Sequence, residues 1–113
     1  MYAPVDGLPQ QTFCHVPHTK GIVTAGLYQP KLQLSAYLRY DTTSLPYLLE
    51  WKCLKSHDYV LGIEPLTCPM GGRAADIAAG RVPVLGAYET RRFGAALGVL
   101  EGAAARTLAE SVR

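Results

Sequence analysis

Residues 31–40, KLQLSAYLRY, place Leu32, Leu34, Ala36, Leu38 and Tyr40 at every second position, with Lys31, Gln33, Ser35 and Arg39 among the residues between. A period of two excludes an amphipathic helix, whose apolar residues recur every three to four positions, and predicts a half-buried strand with one apolar face. Such a strand must be covered by another layer. The chain has 113 residues, one domain's worth at most, and a chain of that size buries very roughly two thirds of its unfolded surface. The core is therefore thin unless every strand face finds its cover.

The neighbouring segments repeat the β signal. GIVTAGLY, residues 21–28, is rich in β-branched and aromatic residues and stops at Gln29-Pro30. Asp41-Thr42-Thr43-Ser44 supplies side-chain acceptors for a turn. PYLLEWKCL follows as a strand, with Pro46 tolerable at its beginning or on an edge. Ser56-His57-Asp58 reads as a tight connection into DYVLGIEP, whose almost wholly apolar run predicts a central strand buried on both faces. RAADIAAG predicts a turn or two of helix near 73–79 that Gly80 ends. RVPVL and ETRRFGAALGVLEG read as two further strands, the latter alternating through Phe93, Ala95, Leu97 and Val99. Residues 1–20 hold Pro4, Gly7, Pro9 and Pro17 and are expected to form a lead-in, with strands over 21–100. Residues 101–113 form a tail in which AAARTLAESVR has helical propensity but only Leu108 and Val112 as anchors, so a frayed helix or disorder is expected. The sum is an all-β antiparallel architecture, a sandwich or part of one, with one short helix.

Charge narrows the partners. Eleven Lys and Arg against nine Asp and Glu give a net +2, with the cations scattered, so no electrostatic footprint for nucleic acid or an anionic membrane exists. No run approaches the ~18 apolar residues of a membrane span. MYAPVDGLPQQ lacks the charged start and apolar stretch of a secretory signal, so a cytoplasmic location is expected. Cys14, Cys53 and Cys68 are odd in number and unpatterned, which predicts reduced thiols and neither a disulfide framework nor a zinc knuckle. No cofactor-binding motif is present: the glycines of GGRAADIAAGR have the wrong spacing for a dinucleotide or phosphate loop.

Glu64 is the first candidate for chemistry. A carboxylate inside YVLGIEPL would lose hydration and become a stronger base, as abstraction of a hydroxyl proton requires. The plainer reading is a strand-end glutamate that faces solvent or pairs with Arg73. In CHVPH, His15 and His18 are three apart, but Pro17 argues against the helix that would let them share a metal, so no metal site is expected. His57 reads as a solvated turn residue. Trp51 is a core residue or a platform for the apolar face of a sugar. Trp51 and Lys52, adjacent on a strand, point to opposite faces unless a bulge intervenes.

LPYLLEWK, YVLGIEP, GGRAA and a closing AAG..PVL..YETRRF, in that order over about residues 10–100, resemble the C-terminal part of aldose 1-epimerase-like (galactose mutarotase-like) proteins, in the branch known as domain of unknown function 4432. The resemblance implies a large antiparallel β-supersandwich holding a monosaccharide, an aldose, in a cleft on a concave sheet. It implies that Glu64 takes the proton from the anomeric hydroxyl. His15 matches a histidine near an aspartate–histidine pair of the family, with Cys14 in the aspartate's place. Trp51, Lys52 and Arg73 match motif positions in or beside the cleft.

Members of that family run to two or three times a single ~100–150-residue domain. The resemblance thus makes residues 1–113 the C-terminal portion of one supersandwich domain, with Met1 an internal start or the edge of a truncated reading frame. The general-acid histidine is then expected upstream, the chain alone is expected to turn over no sugar, and an N-terminal half or self-association is expected to cover the exposed sheet. Two other readings stay open: a non-catalytic carbohydrate-binding module using Trp51 and Arg73, and an inactive truncated gene product.

Overall fold

Six strands and two helices follow one another in the computed structural model, which describes residues 3–111. They are β1 (Gln11–His15), β2 (Ile22–Gln29), β3 (Leu34–Asp41), β4 (Tyr47–Cys53), β5 (Val60–Leu66), α1 (Arg73–Ala78), β6 (Ala95–Glu101) and α2 (Gly102–Ser111). The strands form two three-stranded antiparallel sheets, β1-β4-β5 and β2-β3-β6, so the fold is all-β in class with two short helices. Neither helix is long and apolar enough to cross a membrane. The chain divides into two compact units: residues up to 18 with 45–91, and residues 19–44 with 92 onward.

In the first unit β4 is the central strand. Pro46 immediately precedes it, where a missing N–H breaks no ladder bond. Leu49, Cys53 and Leu54 are buried, and with Leu45 they make this unit's apolar core. β5 is an edge strand, and its residues are half-buried or exposed. The central place expected for DYVLGIEP therefore belongs to YLLEWKC, because only β4 has a partner on each side, and of its residues only Leu49 and Cys53 are buried. Regular structure begins at Gln11, ahead of the expected Gly21: the lead-in supplies β1 as the other edge strand and adds a single bridge from Val5 to Lys55.

α1 occupies the expected position, and Gly80, at φ 66, closes it by donating its N–H to the Ile77 carbonyl at 3.0 Å. The buried Asp76 carboxylate accepts from the Gly71 N–H at 3.1 Å and from Arg81 Nε and Nη2 at 2.9 and 2.7 Å, stapling residues 71–81 into one loop. RVPVL does not become a strand. Pro83 lacks a donor, Val84 and Leu85 are exposed, and the Val84 carbonyl accepts from the Arg91 guanidinium at 3.0 Å where a strand would pair with a neighbour.

In the second unit β3 is central, and its alternation is realised in part. Leu38 and Tyr40 are buried on one face, but Leu32 lies in the preceding turn and Ala36 is exposed. Ser35, on the opposite face, is buried because α2 lies there and its hydroxyl donates to the Ala105 carbonyl at 2.8 Å. The expected turn at 41–44 forms: Asp41 Oδ1 accepts the Thr43 N–H at 2.9 Å and its carbonyl accepts the Ser44 N–H at 3.2 Å. The tail, expected to be a frayed helix or disordered, is an ordered helix up to Ser111. Its anchor is Ala105, which is fully buried; Val112 lies outside the described residues. On the sheet face away from α2, Leu27, Leu97 and Val99 remain exposed.

Candidate functional site

The register of β1-β4-β5 decides which candidate side chains share a face. Side chains of cross-strand partners lie on the same side and alternate along each strand. Thr12 is paired with Trp51 and Trp51 with Gly62; Cys14 is paired with Leu49 and Leu49 with Glu64. Trp51, Gly62 and Glu64 therefore share one face with the buried Leu49 and Cys53. His15 is paired with Leu48, Phe13 with Glu50 and Gln11 with Lys52, which puts His15, Phe13, Glu50 and Lys52 on the other. β4 runs without a bulge, so Trp51 and Lys52 do point apart.

On the first face the missing side chain at Gly62 brings the other two together. A Cβ on Gly62 would sit 2.6 Å from Glu64 Oε1 and 3.4 Å from Trp51 Cε3. The carboxylate thus folds back over Gly62, towards the indole, and occupies space that any other residue at 62 would take. The indole is fixed at its polar edge, where Nε1–H donates to Gln10 Oε1 at 2.9 Å. Glu64 itself is exposed, not desolvated as a glutamate in a doubly buried strand would be, and no ion pair joins it to Arg73 among the described residues. Arg73 is the exposed first residue of α1.

The second face carries a bridged cluster. Glu50 holds Lys52 Nζ at 2.8 Å through Oε1 and His15 Nε2 at 3.3 Å through Oε2. The Lys52 ammonium also lies 4.8 Å from the centre of the Phe13 ring. Partial burial raises the Glu50 pKa, but the hydrogen bonds and charges of Lys52 and His15 outweigh it and hold the carboxyl below its ordinary 4.5. Sequence reasoning singled out His15 and Lys52 and missed Glu50, which joins them across two strands. Gly62 was missed too. The period-two pattern of LLEWK already placed Glu50 and Lys52 on one face, but their pairing with β1 depends on a register that a single sequence does not reveal.

Among the described residues no three His, Cys, Asp or Glu side chains come close enough to hold a metal ion. His57, at φ 73, is an exposed turn residue.

The family described as "Domain of unknown function (DUF4432)" matches residues 1–99. The chain belongs to this family. No curated protein and no solved structure matches the chain. The match spans β1 to the middle of β6, so both faces of β1-β4-β5 are built from residues inside the family region.

Proposed function

We propose that this member of the DUF4432 family contributes the Trp51–Glu64 face of β1-β4-β5 to an aldose-binding site of the aldose 1-epimerase type, with Glu64 as the base at the anomeric hydroxyl. The observation that carries the reading is the placement of a carboxylate beside an indole over a glycine. An aromatic ring accepts the apolar face of a pyranose, and a carboxylate next to it accepts a hydroxyl proton or a hydrogen bond from the same sugar. Gln10 fixes the ring that such stacking needs.

Epimerisation also requires a proton donor at the ring oxygen. His15 lies on the opposite face of this sheet, so it does not serve Glu64 there. The chain alone is expected to bind sugar and to leave mutarotation at the buffer rate, the acid coming from outside residues 1–113.

Trp51 is the single tryptophan, so its fluorescence reports the site directly. Titration with a panel of aldoses should give a saturable change that is weakened in Glu64→Gln and lost in Trp51→Leu. No saturable response to any aldose would overturn the reading. A response unaltered in Glu64→Gln would favour the non-catalytic binding module, a reading that the exposure of Glu64 supports.

A further inference from the structure

We propose that β6 is a dimerisation edge: two copies of this chain pair their β6 strands antiparallel, with Leu97 of each opposite Val99 of the other, and join their β2-β3-β6 sheets into one. The inference uses no residue of the sugar reading and stands apart from it.

Each three-stranded sheet has two edges, and β6 is the one left unguarded. β1 has five residues and ends on His15, and β5 carries Glu64 and Pro65. The start of β2 lies beside the end of α2, where Ser111 lines a recess with Ile22, Val23 and Thr24. Shortness, charge, proline and a covering helix are the usual devices that keep a free edge from pairing. β6 has none of them. Residues 95–100, AALGVL, hold no charge and no proline, and the register with β3 runs from Ala95 to Glu101 without a bulge. Among the described residues β3 is its one strand neighbour, and α2 ends beside β2, at the opposite edge of the sheet.

The backbone fixes which groups face outward. Leu34 is paired with Glu101, so Gln33 faces Gly102, and the Gly102 N–H donates to the Gln33 carbonyl at 2.9 Å. Hydrogen-bonded and non-hydrogen-bonded pairs alternate along an antiparallel ladder. Leu100, Gly98 and Ala96 therefore turn their backbone groups to β3, whereas Ala95, Leu97, Val99 and Glu101 turn theirs to the free edge. The Glu101 carbonyl is taken up by the first turn of α2, as the carbonyl before a helix is. A two-fold axis at Gly98 uses the remainder best. Leu97 and Val99 exchange both their bonds with Val99 and Leu97 of the second copy, and each Glu101 N–H meets the other Ala95 carbonyl. Moving the axis to Leu97 would set Glu101 against Phe93, outside the strand.

The side chains agree with that axis. On the face away from α2, Leu97 and Val99 are 83% and 64% exposed, and the pairing sets each against the other across the axis, apolar on apolar. On the α2 face the two Gly98 residues meet where side chains come closest, and the Tyr37 ring already stands where a side chain on Gly98 would go. An uncharged antiparallel strand with matching apolar positions is what this edge fits, and β6 itself is such a strand. The contact is isologous, so each copy uses up its own edge and assembly stops at two.

Sedimentation velocity of the full chain between about 5 and 500 µM should show a reversible monomer–dimer equilibrium, a span suited to the small interface of one strand edge. Leu97→Lys and Val99→Glu, both at exposed positions, should each weaken the dimer by roughly tenfold or more, because each sets two like charges diagonally across the axis. Mixed in equal amounts, the two variants should dimerise again, since the new ammonium of one then faces the new carboxylate of the other. In the wild-type chain, amide exchange should slow with concentration at Leu97, Val99 and Glu101 and stay unchanged at Ala96, Gly98 and Leu100, a readout that holds even if a variant fails to fold. A wild-type chain that remains monomeric over this span, or a dimer that neither variant weakens, overturns the proposal. Failure of the mixture of folded variants to dimerise overturns the Gly98 axis.

Discussion

Gly62 lies outside the left-handed region that glycine alone adopts easily, so its backbone gives no reason for a glycine. Its reason is space: a Cβ there would stand 2.6 Å from Glu64 Oε1. The obstructing atom is the far end of a flexible side chain, so Gly62→Ala is expected to fold normally. Replacing a strand glycine recovers roughly 0.5–1 kcal/mol, which offsets the rearrangement of Glu64. The thermal midpoint should stay at or slightly above the wild-type value. The carboxylate, however, must swing away from Trp51, and under the aldose-binding proposal sugar affinity should fall by roughly tenfold, the scale of one charge-assisted hydrogen bond. Fluorescence titration of Trp51 measures this, and unchanged affinity would show that Glu64 does not act from above Gly62. Asp76 makes the opposite case. Its carboxylate is buried and holds two nitrogens of Arg81 and the Gly71 N–H, so Asp76→Ala removes three hydrogen bonds at once. Loss of one partner of such a pair typically costs about 3–5 kcal/mol when both are buried, and less here because the guanidinium is partly exposed. Cleavage within 70–81 by limited proteolysis should become much faster than in the wild type, and an unchanged cleavage rate would mean that the helix holds the loop without the staple.

At the scale of elements, the second unit turns on how β3 meets its two neighbours. Tyr37 is paired with Gly26 on one side and Gly98 on the other, and its ring lies over Gly98, where the strand offers no side chain of its own. The two glycines are not equivalent. A Cβ on Gly26 would meet the Ala36 carbonyl oxygen at 2.7 Å, a backbone atom of the central strand. A Cβ on Gly98 would meet the Tyr37 ring and hydroxyl at 2.5 Å, atoms that a side-chain rotation can move. Gly26→Ala is therefore expected to cost about 1–3 kcal/mol and Gly98→Ala less than about 1 kcal/mol. Urea unfolding followed by circular dichroism orders the two, and the reverse order would mean that α2 locks the tyrosine ring. This arrangement also explains what the sequence could and could not disclose. Alternation found β3, the Ile-Val-Thr start of β2 and the Leu97–Val99 pattern of β6, because each is a local signal. The helical propensity of α2 is legible too, but its order is not, because its anchor is Ala105, and an alanine leaves no hydrophobic stripe to detect. RVPVL misled because Val and Leu favour strands only when a neighbour exists to pair with, which is a property of the whole sheet. The central place expected for β5 fails for the same reason: an apolar run does not say which edge of a sheet stays free.

For the whole molecule the shared sensitivity is to acid. Among the described residues three carboxylates are held below their ordinary pKa, and they are spread over both units. A backbone N–H and the hydroxyl of Thr43 lower Asp41; Lys52 and His15, against the opposing effect of burial, lower Glu50; the Gly86 N–H and Arg91 lower Glu89. Each such group binds its proton more weakly in the folded chain than in the unfolded one. At a pH above the ordinary values of 3.8 for Asp and 4.5 for Glu, both states are ionised and the native contacts contribute their full stabilisation. As the pH falls below those values the unfolded chain takes up protons first, so the stabilisation declines and is gone once the pH has passed the lower folded values. Asp41 and Glu89 lie at the solvent surface, where screening makes their share small. Glu50 is part-buried and bridges β1 to β4, so the acid limb should depend on it most. Melting curves between pH 3 and 7 are expected to show a midpoint that is flat above about pH 5 and falls below it. In Glu50→Gln the midpoint should be lower at pH 7 and the fall on acidification shallower, because the variant has one titrating contact fewer to lose. An acid limb of identical slope in the variant would assign the sensitivity to the turn carboxylates Asp41 and Glu89 and deny the His15–Glu50–Lys52 bridge a part in holding the edge strand.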